Sequence, residues 1–173
     1  MRPGSVLVLL PVTALLLASG FRSSPPPVAP GGKIGAMTLV RGIEHKADAE
    51  LWGMFCDATI PKPGRYRRTC NVPHVQRLFI GYGDWERTRK ALDSVWKQLK
   101  WDLWFDGRRV DLPRFGTSER TLHYFRPAGG KNVILREWSV TLIGVTPGKH
   151  VIRYRSASRS LGTTDATWTF TAP

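Results

Sequence analysis

VTPGKHVIRYRSASRSLGTTDATWTFTA, Val145 to Ala172, carries two runs that alternate with a period of two. In HVIRYRS, His150, Ile152 and Tyr154 fall on one side and Val151, Arg153 and Arg155 on the other. In ATWTFTA, Trp168 and Phe170 alternate with threonines. That period belongs to strands with one buried face and one wet face. Thr146-Pro147-Gly148-Lys149 puts Pro and Gly where a type II turn wants them. Just upstream, VILREWSVTLIGV sets Trp138, Val140 and Leu142 on one face.

Working toward the N-terminus, the strand signals continue. WDLWFDGRRVDL holds Asp106-Gly107, the dipeptide favoured by a two-residue type I′ hairpin. Trp101, Leu103 and Phe105 then share one face, opposite Asp102, Trp104 and Asp106. TLHYFR (Thr121 to Arg126) reads as a strand, followed by a flexible PAGGKN loop. KIGAMTLVRGI reads as the first strand, and EHKADAE as a polar connection. LWGMFC then leads a second strand into Cys56, and HVQRLFIGYG gives another ending at Gly83. One helix interrupts the series. DWERTRKALDSVWKQLK, about 84–100, offers Asp84 as N-cap and sets Trp85, Thr88, Leu92, Val95, Trp96 and Leu99 on one face. Short strands divided by turn signals predict a mainly β chain: an antiparallel β-sandwich with one inserted amphipathic helix, as a single domain over 34–173.

WSVTLIGVTPGKHVIRYRSAS…TTDATWTFTA resembles the final three strands of immunoglobulin-like and fibronectin type III-like modules in exported bacterial proteins. The likeness is a hydrophobic strand, a TPG turn and a strand reading H-x-I-x-Y, over roughly Leu135 to Ala172. It implies adhesion, spacing or ligand display. The central helix and the cysteine-bracketed stretch depart from the usual seven-strand plan of those modules.

MRPGSVLVLLPVTALLLASG (1–20) has the order of a secretory signal: Arg2, an apolar stretch from Val6 to Leu17, then small residues. The apolar stretch is shorter than the roughly 20 residues that span a bilayer. No transmembrane helix is expected in the mature chain. FRSSPPPVAPGGK (21–33) reads as a Pro/Ser/Gly-rich disordered tether. Export to an oxidising compartment makes a disulfide the expected fate of the two cysteines, Cys56 and Cys70. Their spacing is not C-x-x-C, and too few donors flank them for zinc.

Lys and Arg total 26 against 13 Asp and Glu, a formal charge of +13. Such a surface attracts polyanions. For a secreted or envelope-associated protein these are an anionic glycan, a wall phosphate polymer or an anionic lipid surface, ahead of nucleic acid. CDATIPKPGRYRRTC places Arg65, Arg67 and Arg68 in the closed loop, where guanidiniums are partly preorganised for oxyanions. Arg108 and Arg109, at the Asp-Gly hairpin, extend that patch if the fold brings the two together. Trp104, opposite the apolar face of its strand, is the candidate for stacking a sugar ring.

No catalytic motif emerges. GYGDWE lacks the third glycine of a dinucleotide fingerprint, and its acids would repel a phosphate. His45, His74, His123 and His150 are scattered, so no metal and no cofactor is expected. Asp102, Asp106 and Asp111 cluster at a hairpin, where turn chemistry is their ordinary role. The sequence therefore points to a non-enzymatic binding or display domain at the cell envelope. The alternatives are a carbohydrate-binding module using Trp104, or a small envelope hydrolase with convergent carboxylates in a concave pocket.

Overall fold

The computed structural model describes residues 24–58 and 63–173. The expected signal segment (1–20) and the first residues of the expected tether lie outside them. The strands are β1 (Lys33–Ile34), β2 (Met37–Arg41), β3 (Ala49–Glu50), β4 (Gly64–Asn71), β5 (Arg77–Phe79), β6 (Gly83–Glu86) and β7 (Lys100–Phe105). They continue with β8 (Arg108–Val110), β9 (Thr117–Phe125), β10 (Lys131–Trp138), β11 (Val140–Ile143), β12 (Gly148–Ser158) and β13 (Gly162–Ala172). The α-helices among the described residues are α1 (Leu51–Met54), α2 (Arg89–Gln98) and α3 (Leu112–Phe115).

The chain is mainly β, and its described residues form three sheets. A front sheet runs β4-β13-β12-β7-β8, a back sheet β1-β2-β11-β5-β3, and a third sheet β6-β10-β9. Pairing is antiparallel except that β4 lies parallel to β13 and β3 parallel to β5. The alternation in β12 and β13 holds residue by residue. Ile152, Tyr154, Trp168 and Phe170 are buried, joining Leu103 and Phe105 of β7. The back sheet supplies Leu39, Leu78, Val140 and Leu142 to the same core. The Tyr154 hydroxyl donates to the Ile80 carbonyl at 3.1 Å, a polar tie inside that core. At the β7–β8 hairpin, Asp106 and Gly107 both take positive φ (43° and 75°), as a type I′ turn requires.

Four local expectations are corrected. LWGMFC is not a strand: the Phe55 and Cys56 amides return to the Leu51 carbonyl (3.1 and 2.8 Å), making the short turn α1. Its apolar residues never alternate, so no strand face existed to bury. The helix starts later than 84. Thr88 is its N-cap, its hydroxyl accepting from the Ala91 amide at 3.2 Å, and Asp84 to Glu86 belong to β6. Gly83 makes that strand possible, because a Cβ there would lie 1.8 Å from the Arg136 carbonyl oxygen. VILREWSVTLIGV is two strands, not one: at Ser139 the chain leaves the third sheet and enters the back sheet. Trp138 consequently packs on Trp96 of α2 (ring centroids 5.4 Å) and not beside Val140.

The fourth correction concerns the tether. Val28 is buried and bridges to Val110. Its amide donates to Arg109 O at 2.8 Å, and its carbonyl accepts from the Asp111 amide at 2.9 Å. The one branched apolar residue in that Pro/Gly-rich segment anchors it to the sheet edge. The PAGGKN stretch is likewise more regular than expected. Arg126–Ala128 forms a 3-10 turn, and Gly129 and Gly130 take positive φ to close the β9–β10 hairpin.

The expected disulfide is present. Cys56 and Cys70, with Cα atoms 5.4 Å apart, tie the end of α1 to β4. Among the described residues, no helix is long and apolar enough to cross a membrane.

Candidate functional site

The front sheet's outer face is built by the residues that alternate with the core. One register row crosses all five strands: Arg67 pairs with Thr167, Thr167 with Arg153, Arg153 with Trp104, and Trp104 with Arg109. At a strand spacing of about 4.8 Å, the row spans about 19 Å, with Arg67 and Arg153 about 10 Å apart. The adjacent row reads Arg65, Asp165, Arg155, Asp102. Lys149 and Lys100 sit at the two ends of the same face.

Seven cations thus share this face with two carboxylates, Asp102 and Asp165. Asp165 accepts from Arg153 Nε at 2.8 Å. That bond, with Arg155 and Arg65 adding to it, holds the Asp165 carboxyl below the usual range. Asp102 pairs with Arg109 at 2.7 Å. Arg65, Arg67 and Arg155 are exposed and form no ion pair among the described residues. Trp104 is half-buried, with the Arg153 guanidinium 5.0 Å over its ring.

The sequence-derived set therefore divides. Arg65, Arg67, Arg109 and Trp104 share the outer face, although Arg65 and Arg67 lie on one edge strand and Arg109 on the other. Arg68 and Arg108 point to the opposite side of the sheet, one residue out of phase with it. Arg68 approaches Asp57 (3.9 Å), and Arg108 donates to the Pro26 carbonyl (3.5 Å). Trp104 does not offer a bare platform, since one ring face is covered by Arg153. Sequence reasoning missed Arg153 and Arg155 as site residues, although the HVIRYRS alternation had already put them on the wet face.

The inner side of the same sheet, beyond the core, opens into a cleft of about 1020 Å³. One wall is the third sheet, with Trp85, Phe125, Leu135, Arg120 and Glu137. Facing it are Glu50, Trp52 and Asp57 around α1, with Ser156 and Thr164 from β12 and β13. Trp85 and Phe125 meet edge to face, with centroids 5.1 Å apart and planes at 73°. Trp52 and Tyr82 cross at 67°, and the Trp52 indole N–H donates to the Gly81 carbonyl.

Arg120 grips Glu50 with two bonds of 2.6 and 2.9 Å and reaches Glu137 at 3.3 Å. Glu137 is 5% exposed. Burial pushes its carboxyl up from 4.5 to about 7; Arg120 opposes the shift and the nearby Glu50 adds to it. Burial also raises Asp84, against a hydrogen bond from the Trp85 amide and with Glu86 adding to the rise. Neither Asp84 nor Glu86 has an ion-pair partner among the described residues. No motif announced this cleft, because its acids come from β3, β6, β10 and the end of α1.

Comparison with known proteins adds little. No family model and no curated protein matches the chain. A solved cysteine protease inhibitor of Entamoeba histolytica is similar at 10% identity over 65% of this chain and 96% of that one, with a TM-score of 0.29. A likeness at that level carries no argument.

Asp106, at the hairpin turn, is held by the fold. Asp106 accepts from the Val151 amide and from His150 Nδ1, both at 2.8 Å, while His150 Nε2 lies 2.9 Å from the Thr146 carbonyl oxygen. His150 is buried against Phe105 and Phe170. This pair fixes the hairpin to the β11–β12 connection. Among the described residues, no group of three or more His, Cys, Asp or Glu is placed to hold a metal ion.

Proposed function

We propose that this chain is an extracytoplasmic, non-catalytic binding domain, an immunoglobulin-like sandwich whose outer front-sheet face holds an extended anionic polymer. The observation that supports this reading is the row Arg67–Thr167–Arg153–Trp104–Arg109 with its neighbour Arg65–Asp165–Arg155–Asp102. A flat β-face fixes guanidiniums on a lattice about 5 Å across the strands and about 7 Å along them. A polymer bearing sulfate, phosphate or carboxylate at regular intervals meets such a lattice without ordering a loop, and arginine can bond these groups bidentately. Thr167, between Arg67 and Arg153, and Thr169, one row along, supply hydroxyl donors on the same face. Two arginines are already held by Asp102 and Asp165, so Arg65, Arg67 and Arg155, with Lys100 and Lys149 at the ends of the face, carry the attraction.

The test compares retention on a sulfated-glycan column over a salt gradient. The triple change Arg65→Ala, Arg67→Ala and Arg155→Ala should elute at clearly lower salt than wild type. The control, Arg89→Ala, Lys90→Ala and Lys97→Ala on α2, removes the same charge and should elute near wild type. Equal displacement of both variants would mean that net charge alone governs retention, and the proposed face would be rejected.

A further inference from the structure

The edges of the three sheets are not alike. The front sheet is closed at β8 by Val28, whose amide and carbonyl bond to Arg109 and Asp111. In the back sheet the edge strands β1 and β3 have two residues each, too few to template a partner. In the third sheet β6 has four residues. There β9 breaks its register with β10 between Leu122 and Phe125, where Tyr124 takes a φ of 52°. A bulge of this kind discourages further pairing. The strand β4 has none of these devices. Its eight residues pair with β13 in one unbroken register, from Gly64 with Thr164 to Asn71 with Thr171. Among the described residues, no strand lies on its other side.

Backbone N–H and C=O groups alternate sides along a strand. The Val72 amide donates to the Thr171 carbonyl at 2.9 Å, so Tyr66, Arg68 and Cys70 also direct their backbone groups to β13. Arg65, Arg67, Thr69 and Asn71 direct theirs to the open edge. Among the described residues, none of these four makes a backbone bond outside the sheet. They are also the exposed residues of the strand. The open backbone groups and the outward side chains therefore belong to the same residues. Arg65 and Arg67 lie about 7 Å apart along the strand. The Cys56–Cys70 bond pins β4 to the end of α1, so little ordering is needed for an edge partner to bind.

We infer that the open edge of β4 accepts an extended segment of another protein, with carboxylates at alternate positions, as a sixth strand of the front sheet. Main-chain bonds to Arg65, Arg67, Thr69 and Asn71 hold the segment. Its acids, two residues apart, lie across from Arg65 and Arg67, where opposite charges stabilise a strand pair. Charge selects this occupant. A second copy of β4 brings three more arginines to the edge and no carboxylate. Residues 1–23 and 59–62 of this chain contain no Asp or Glu. The acidic strand therefore comes from a different protein. The site goes beyond the polyanion-binding face. It shares Arg65 and Arg67 with that face, but it needs the backbone edge, which a polymer lying on the face does not.

The experiment titrates the full mature chain into a fluorescently labelled peptide of about ten residues, alternating glutamate and valine. Two further versions of the peptide are N-methylated, one at every glutamate and one at every valine. The plain peptide should bind with a Kd of about 0.1 mM or tighter. One methylated version should bind about tenfold or more weakly, because it keeps the charge and loses the amides that face β4. Changing Arg65 and Arg67 together to Ala should cost about as much. Thr69→Pro removes an edge amide and no ladder amide. It should weaken the peptide about tenfold while leaving elution from the sulfated-glycan column at the wild-type position. Bound peptide should also slow hydrogen exchange at the Arg65, Arg67 and Thr69 amides, with Tyr66 and Cys70 unchanged. No binding of the plain peptide overturns the inference. Equal binding of all three peptides, or binding without slowed exchange, also overturns it by reducing the contact to charge alone. If Thr69→Pro does not fold, the methylated peptides and the exchange measurement decide. Failure of the glycan-column comparison removes the outer face and leaves this edge standing.

Discussion

Glu137 couples the fold most directly to solution conditions. It is 5% exposed, and its carboxyl is pushed up from 4.5 to about 7 by burial. Between these values the native state keeps a proton that the unfolded chain has released. Stability from this group is therefore full below about pH 4.5 and declines as pH rises to about 7. At about 1.4 kcal/mol per unit, the loss is on the order of 3 kcal/mol. Glu137→Gln, which stays neutral, should be less sensitive than wild type by about 2–3 kcal/mol between pH 5 and pH 8 in urea unfolding. Parallel curves for the two proteins would show that Glu137 is ionised throughout. Residue roles were unevenly legible in the sequence. The inward placement of Tyr154 and Trp168 followed from alternation alone, whereas Arg65 and Arg67 read as part of a closed loop with Arg68 and turn out to face outward from a strand. The burial of Glu137 was not legible, because nothing in LREWS says that the third sheet and α1 close over it.

At the scale of elements, β4 is the strand that carries one end of the disulfide, Cys70. It is an edge strand, joined to β13 in parallel register, and its two outward arginines, Arg65 and Arg67, define one end of the basic rows. The Cys56–Cys70 bond, with a sequence separation of 14, closes the segment that leads into β4 and runs along it. Closing a loop of this length is worth about 3 kcal/mol in the chain-entropy model. Changing both cysteines to serine should lower unfolding free energy by about that amount and move elution from an anionic column to lower salt. Loss of stability with unchanged elution would detach β4 from the binding face. Elements with a clean period of two, such as β7, β12 and β13, were legible with their faces. LWGMFC was not, since an apolar run without alternation fits a turn of helix as well as a strand. The GYGDWE strand was hidden by helix-like spacing downstream, and the true cap, Thr88, lies four residues beyond Asp84.

For the whole molecule, the formal charge of +13 conceals a sorted surface. Among the described residues, the front sheet carries seven cations and two carboxylates outward, and on its inner side it borders a cleft lined by five carboxylates and one guanidinium. Composition pointed to a polyanion partner but could not say where, because α2 is also basic and sequence order does not reveal which strands are neighbours. Val28 is a similar case: it closes the edge next to β8 from within a segment whose composition reads as a tether. The proposed function rests on the outer face acting as one unit. The most direct measurement is an amide chemical-shift titration of the labelled mature domain with a short sulfated oligosaccharide. The account predicts shifts concentrated at Arg65, Arg67, Arg109, Arg153 and Arg155, with Trp85 and Glu137 unmoved. Shifts confined to α2 or to the cleft, with the front-sheet arginines silent, would contradict it.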